Sequence, residues 1–262
     1  MTGDVLGFKE APAEQIKAWV EQFDRDGFLF LRGVLPLDLV GELRRDLDRA
    51  LEKAPCENPD IEIICRMFES SAANLRLFDM EPIASFAEAL VENTCHVIHN
   101  NSFRTPPGKG ILAWHQDDAP HYLVTSGEAP QNIKLPVLLF SANYYLTDVG
   151  EIKDGPTEVV RGSHLLGKSP PVDVANSPWK DRIVPCLGQA GSVVMFNNQV
   201  WHRGAPNLSE KKRYVTQVSY ARRLIGHKYF PFMNYQMPEP VYAGASPRLR
   251  RLLGFLPTGN YG

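Results

Sequence analysis

Four short runs between Val137 and Ala221 carry the fold: VLLFSANYYL (137–146), TEVVRG (157–162), SVVMFNN (192–198) and RYVTQVSYA (213–221). They are dominated by β-branched, aliphatic and aromatic residues, and clusters of Gly, Pro, Asn and Asp separate them. The first set suits a pleated, half-buried surface. The second supplies the backbone angles of tight turns, so the runs read as strands joined by turns. This texture begins near residue 98 and continues to about 225.

Upstream the period changes. Ile16, Trp19, Val20 and Phe23 recur at i, i+3, i+4 and i+7 between Pro12 and Gly27, which predicts an amphipathic helix over 12–26. FLFLRGVL (28–35) then reads as a short buried strand. Leu39, Val40, Leu43, Leu47 and Leu51 form one stripe after Asp38, the expected N-cap, and the segment Pro55–Pro59 stops that helix. A third helix is expected from Ile83, just after Pro82, to about Val97. Helices first and strands later imply a mainly β protein in which a mainly helical N-terminal layer (1–97) packs on a β-sandwich or jelly roll (98–225). Residues 226–262 form a C-terminal extension. The early helices need a sheet to bury their stripes, so the 262 residues read as one domain.

Apolar residues make up 44% and charged residues 22% of the chain, with a net charge of −2. Neutralising a phosphate backbone needs clustered Lys and Arg. The short groups Arg222–Arg223 and Arg248, Arg250, Arg251 read as solvated faces, so no nucleic-acid partner is expected. MTGDVLGFKE has no basic or apolar signal region, and no apolar run reaches the roughly 18 residues of a membrane span. Cys56, Cys65, Cys95 and Cys186 lack CxxC spacing and are expected to be reduced thiols of a cytoplasmic protein. Oligomeric state is not legible at this level.

Chemistry concentrates in LAWHQDDAPH (112–121). His115 and Asp117 stand two apart in a strand-like context, and residues i and i+2 of a strand share a face, with Gln116 pointing away. A third ligand from another strand is offered by His202 in FNNQVWHRG (196–204). Two histidines and one carboxylate form the facial triad of non-haem iron oxygenases, which leaves positions open for substrate and oxygen. A bare His-x-Asp carries little weight, because so short a motif recurs by chance. Arg213 adds to it. It follows His202 by eleven residues across the turn-rich GAPNLSEKK, and a buried guanidinium there can clamp a dicarboxylate in a bidentate pair.

At this point DGFLFLRGVL (26–35), WHQDD (114–118), LTDVGEIKDGPTEVVRGSH (146–164) and GSVVMFNNQVWHRGAPNLSEKKR (191–213) can be taken together. In order and spacing these blocks resemble the phytanoyl-CoA dioxygenase family of iron(II)- and 2-oxoglutarate-dependent oxygenases. The resemblance covers most of the chain and implies a double-stranded β-helix core of the jelly-roll, cupin-like kind. It implies iron(II) held by His115, Asp117 and His202, with 2-oxoglutarate as co-substrate and its far carboxylate on Arg213. Asn143 falls where the family lines the co-substrate site. The implied activity is hydroxylation of a C–H bond of a small molecule with O2, releasing succinate and carbon dioxide. Related halogenases have a small residue where Asp117 stands, so halogenation is not implied.

Two departures stand out. Gly204 occupies a position where the family often has Ser or Thr, so one co-substrate hydrogen bond must come from elsewhere or be absent. The family's common PGSH is here Arg161-Gly162-Ser163-His164, and Arg161 could be structural or face the pocket. GSHLLGKS (162–169) matches the P-loop pattern, but Pro170 and Pro171 preclude the helix a P-loop needs. His121 reads as a pocket or surface residue, and His96, His99, His164 and His227 as core or surface. Trp114, Tyr144, Tyr145 and Trp201 read mainly as packing, with one or two able to line the substrate cavity. Two rival readings stay open: a jelly-roll binding protein without turnover, and a metal-dependent cupin enzyme that needs no 2-oxoglutarate.

Overall fold

The apolar stripe of the first segment folds as expected. In this computed structural model, which describes residues 9–54, 60–92, 94–127, 134–231 and 233–255, helix α1 (Ala13–Asp26) buries Ile16, Trp19 and Phe23. It ends where Gly27 takes a φ of 81° and donates its N–H to the Phe23 carbonyl. A side chain at 27 would be strained in that conformation, and its Cβ would lie 2.3 Å from Val200 Cγ2. Strand β1 (Phe28–Leu31) follows at once. Helix α2 (Leu37–Lys53) buries the predicted stripe, yet its N-cap is Pro36, with no side-chain cap. Asp38 therefore sits inside the first turn, near the helix's positive end, and does not cap it. The expected stop at Pro55–Pro59 lies outside the described residues.

Strand β2 (Glu62–Cys65) and the short helix α3 (Ala72–Arg76), capped by the Ser71 side chain, come next. Helix α4 (Ile83–Val91) begins after Pro82 as predicted but stops well short of Val97. Glu92 takes a φ of 84°, and His96 already opens β3 (His96–Thr105). Pairing with another strand overrides the apolar pattern there. The remaining strands are β4 (Ile111–His115), β5 (Leu139–Tyr145), β6 (Thr157–Val160), β7 (Ile183–Pro185), β8 (Val193–Asn197), β9 (His202–Gly204) and β10 (Arg213–Ala221). Helices α5 (Glu239–Tyr242) and α6 (Pro247–Leu252) close the described chain.

The strands form two antiparallel sheets, a six-stranded one in the order β1-β8-β5-β10-β3-β2 and a four-stranded one in the order β4-β9-β6-β7. This is the double-stranded β-helix, or jelly roll. The strand expected at 28–35 forms as β1 at one edge of the larger sheet, and β2, which the sequence did not suggest, completes the other edge. Alternation sorts the larger sheet's side chains. Tyr144, Met195, Val218 and Tyr220 pack with the helices in the main core. Tyr145, Val194, Phe196 and Val215 face the smaller sheet and pack with Val159. The C-terminal extension lies on the helical side, where Leu252 joins the main core and Arg248 reaches Glu88 at 2.9 Å.

Candidate active site

The inner wall between the sheets carries the polar exceptions to this packing. His115 ends β4 and His202 begins β9, and the two face each other in register. Their ring centroids lie 4.3 Å apart. Each ring is held the same way: Nδ1 of His115 meets the Ala113 carbonyl at 2.9 Å, and Nδ1 of His202 meets the Val200 carbonyl at 2.9 Å. A carbonyl only accepts, so each Nδ1 carries the proton and each Nε2 keeps a lone pair for a metal.

Asp117 reaches the same place by a different route from the one its spacing suggested. Strand β4 stops at His115, so the i, i+2 face of a strand does not extend to Asp117. Its backbone N–H instead donates to the Asn198 carbonyl at 2.9 Å, in the turn between β8 and β9. That bond folds the carboxylate back to 3.5 Å from His202 Nε2. One donor atom from each of the three residues lies within 4.8 Å of the other two. Burial works to raise the Asp117 carboxyl, but the facing His202 holds it below the usual range. Burial and the neighbouring His202 lower His115. Ionised carboxylate and neutral imidazole are the forms that ligate a metal.

Arg213 opens β10 opposite Thr105. Only 7% of it is exposed, Nη2 donates to Thr105 Oγ1 at 3.2 Å, and Nε is buried without a partner. Burial pulls the guanidinium below its ordinary value, though an arginine remains charged. No carboxylate among the described residues pairs with it. It lines a cavity of about 150 Å³ together with His115, Asp117, His202, Asn143 and Gln217. Asn143 is placed there by register with Gln217, whose Nε2 donates to Asn143 Oδ1 at 2.9 Å.

Gly204 faces the guanidinium. Its φ is not in the left-handed region, and a Cβ there would lie 3.2 Å from Arg213 Nη2. Closeness to Arg213, and not backbone angle, is what distinguishes this glycine. Arg161 is exposed and donates its backbone N–H to the Arg182 carbonyl, away from the cavity. GSHLLGKS forms a single 3-10 turn, Ser163–Leu165, with no helix behind it. His121 stays outside the triad, with Nε2 3.3 Å from the Asn198 amide nitrogen. Tyr144 and Trp201 are core residues, and Trp114 packs under Arg203.

Gln217, Thr105 and Asn198 were missed in the sequence. Gln217 was within reach, because it stands four residues after Arg213 in one strand and therefore on the same face. Thr105 and Asn198 act through strand register and a turn carbonyl, for which a single sequence carries no signal.

A jelly roll with two histidines, one carboxylate and a buried arginine on its inner wall has the build of a mononuclear non-haem oxygenase. The chain belongs to the phytanoyl-CoA dioxygenase family, whose sequence model matches residues 23–215. Among curated proteins it is similar to dioxygenase trt7 of Aspergillus terreus, with 22% identity over 97% of this chain and 90% of the relative. It is also similar to the multifunctional dioxygenase ausE of Emericella nidulans, with 23% identity over 94% and 84%. HygX from Streptomyces hygroscopicus, solved with nickel and 2-oxoglutarate bound, superposes with a TM-score of 0.66 at 19% identity, over 84% of this chain and 90% of HygX. The carbocyclase SnoK from nogalamycin biosynthesis, described as non-haem and alpha-ketoglutarate dependent, gives a TM-score of 0.64 at 21% identity, over 84% and 89%.

Proposed function

We propose that this protein is an iron(II)- and 2-oxoglutarate-dependent dioxygenase that hydroxylates a C–H bond of a small molecule. The observation that carries the reading is Arg213, a buried cation without a counter-charge among the described residues, in the same cavity as two Nε2 lone pairs and one carboxylate. The donor set of His115, Asp117 and His202 suits iron(II), being mixed nitrogen and oxygen and leaving part of the coordination sphere open. When bound, iron(II) supplies the oxygen activation that couples decarboxylation of 2-oxoglutarate, to succinate and carbon dioxide, with transfer of one oxygen atom into the C–H bond.

The chain's own residues bind and orient. The Ala113 and Val200 carbonyls fix the imidazole tautomers, and the Asn198 carbonyl fixes Asp117. Arg213 pairs with the carboxylate of 2-oxoglutarate remote from the metal, as a bidentate charge-assisted contact. Asn143 lines the same cavity and accepts from Gln217 through Oδ1, which leaves its amide N–H for the co-substrate. Phe196 and Val215 on the inner wall keep bulk water from the reacting atoms. We read the chain as a single oxygenase domain, which the continuous core from α1 to α6 supports. We assign it to the reducing cytoplasm on its thiols: Cys95 and Cys186 are buried without disulfide partners, and burial pushes them up to about 11 and about 12. No described helix is long and apolar enough to cross a membrane.

The test is anaerobic addition of iron(II) and then 2-oxoglutarate, followed by visible absorption. A metal-to-ligand charge-transfer band that needs both components is the expected result. Its absence, with iron bound, would leave a cupin enzyme without 2-oxoglutarate or a binding protein.

A further inference from the structure

From Lys211 to Pro238 the chain holds six basic residues, Lys211, Lys212, Arg213, Arg222, Arg223 and Lys228, and no Asp or Glu. The last three lie in the connection that follows β10. Large apolar side chains in that connection point outward: Leu224 is 73%, Phe230 85% and Met233 83% exposed. Single exposed apolar residues are ordinary on any protein, but three on one connection, interleaved with cations, form a patch.

This exposure is built in by anchored neighbours. Ile225 packs against Ile98, Leu139 and Ala221, and its carbonyl accepts from His96 Nε2 at 2.8 Å. The Lys228 N–H donates to the Ile98 carbonyl at 2.8 Å. Tyr229 is buried, with its ring 5.3 Å from that of Phe68 and 4.9 Å from that of Tyr235. Ile225 and Tyr229 thus turn in while Leu224, Lys228 and Phe230 turn out. Arg66 donates its backbone N–H to the Asn100 carbonyl and lies 3.5 Å from the Phe230 carbonyl through Nη1. Residues 225–230 therefore run beside β3 from His96 to Asn100, a span of roughly 13 Å at the rise of a strand. The outward side chains share one footprint.

The footprint has a definite place on the barrel. Arg213 opens β10 against Gly204, the last residue of β9, whereas His202 is the first. Strand β10 runs from there past the triad, so the connection after it lies at the triad end.

Charge decides what covers the patch. Arg222 is offset by Glu92 and Arg66 by Glu69. Lys228 is exposed and pairs with no carboxylate among the described residues. A second copy docked about a twofold axis would set these cations against themselves. An anionic lipid surface supplies the opposite charge at its headgroups and an apolar layer just beneath them.

We propose that the connection after β10 docks this protein on an anionic lipid bilayer, with Leu224, Phe230 and Met233 entering the interface and Arg223 and Lys228 meeting lipid phosphates. Docked in this way, the triad end of the barrel faces the lipid.

Co-sedimentation of the full chain with phosphatidylcholine vesicles, with and without one quarter phosphatidylglycerol, tests this. Anionic vesicles should bind on the order of 10-fold more tightly than neutral ones. Raising salt from about 0.1 M to about 1 M should remove most of that preference, as the Debye length falls from about 10 Å to about 3 Å. Lys228→Gln should weaken anionic binding about fivefold, the share of one lysine at such a surface. Phe230→Ser should weaken it on the order of 10-fold and leave the salt dependence in place. Leu224→Ser repeats the apolar test at a second exposed position, where a substitution leaves the melt unchanged. No binding to anionic vesicles, equal binding to both kinds, or variants that bind like the wild type would each overturn the proposal. A dimer in sedimentation equilibrium that Phe230→Ser dissociates would also overturn it, by giving the patch to a second copy. No arm needs iron or 2-oxoglutarate, so failure here is separable from failure of the charge-transfer test.

Discussion

Replacing Arg213 with methionine should make the ligand-free protein more stable while abolishing its response to 2-oxoglutarate. The guanidinium is 7% exposed and donates to Thr105 Oγ1 at 3.2 Å, while Nε has no partner among the described residues. A buried donor without an acceptor costs about 1–3 kcal/mol, and desolvation of the charge adds to that. Against this stands the Thr105 hydrogen bond, about 0.5–1.5 kcal/mol. Methionine is flexible and apolar enough to fill the space. The balance favours the variant by about 1–2 kcal/mol, which raises Tm by roughly 2–8 °C for a domain of this size. A scanning melt with and without 2-oxoglutarate gives the second readout. The wild type should gain about 2.7 kcal/mol at a ligand concentration of 100 Kd, and the variant should gain nothing. A Tm that falls in Arg213→Met, or a ligand-induced rise that survives it, would falsify the view that Arg213 is held unpaired for an anion.

Three further outcomes follow from particular contacts. Gly204→Ser should fold, since its φ lies outside the left-handed region and a guanidinium Nη at the far end of a side chain can give the few tenths of an ångström that a Cβ at 3.2 Å requires, and its hydroxyl beside Arg213 Nη2 should tighten 2-oxoglutarate about two- to tenfold, the equivalent of roughly 0.5–1.5 kcal/mol. An unchanged titration with an unchanged melt would show that Asn143 or Gln217 already supplies the contact. Alanine at His115, Asp117 or His202 should remove iron-dependent 2-oxoglutarate consumption without unfolding the chain, because an open metal site is not a folding cage. Circular dichroism beside a succinate assay decides it, and consumption by the triple variant would sink the assignment. Glu62 is held below its ordinary value by the Arg104 guanidinium, which contacts it at 2.7 Å through Nη2. A depressed carboxylate stabilises the fold above its unfolded value and loses that contribution as pH falls. Arg104→Met should therefore flatten the acid limb of the stability curve below about pH 4.5, by about 1 kcal/mol for a half-buried pair still screened by solvent. An acid limb identical to that of the wild type in urea melts would refute the pairing.

Strand texture after residue 98, the helical stripes of α1 and α2, and the candidate residues His115, Asp117, His202 and Arg213 were all legible in the chain's order of residues. Each depends on a short repeat, 3.6 for a helix and 2 for a strand, or on a spacing that survives in one segment. The errors came where distant partners overrule local pattern. Helix α4 gives way to β3 because His96 pairs with Ala221, far along the chain. Asp117 reaches the triad through the Asn198 carbonyl and not through strand alternation, since β4 ends before it. That Arg213 lies buried without a counter-charge among the described residues, that Gly204 sits against its guanidinium, and that Gln217 steadies Asn143 are all matters of register between strands. Register is a non-local property: side-chain chemistry selects which residues can do the work, and only the pairing of strands from separate parts of the chain decides which of them meet.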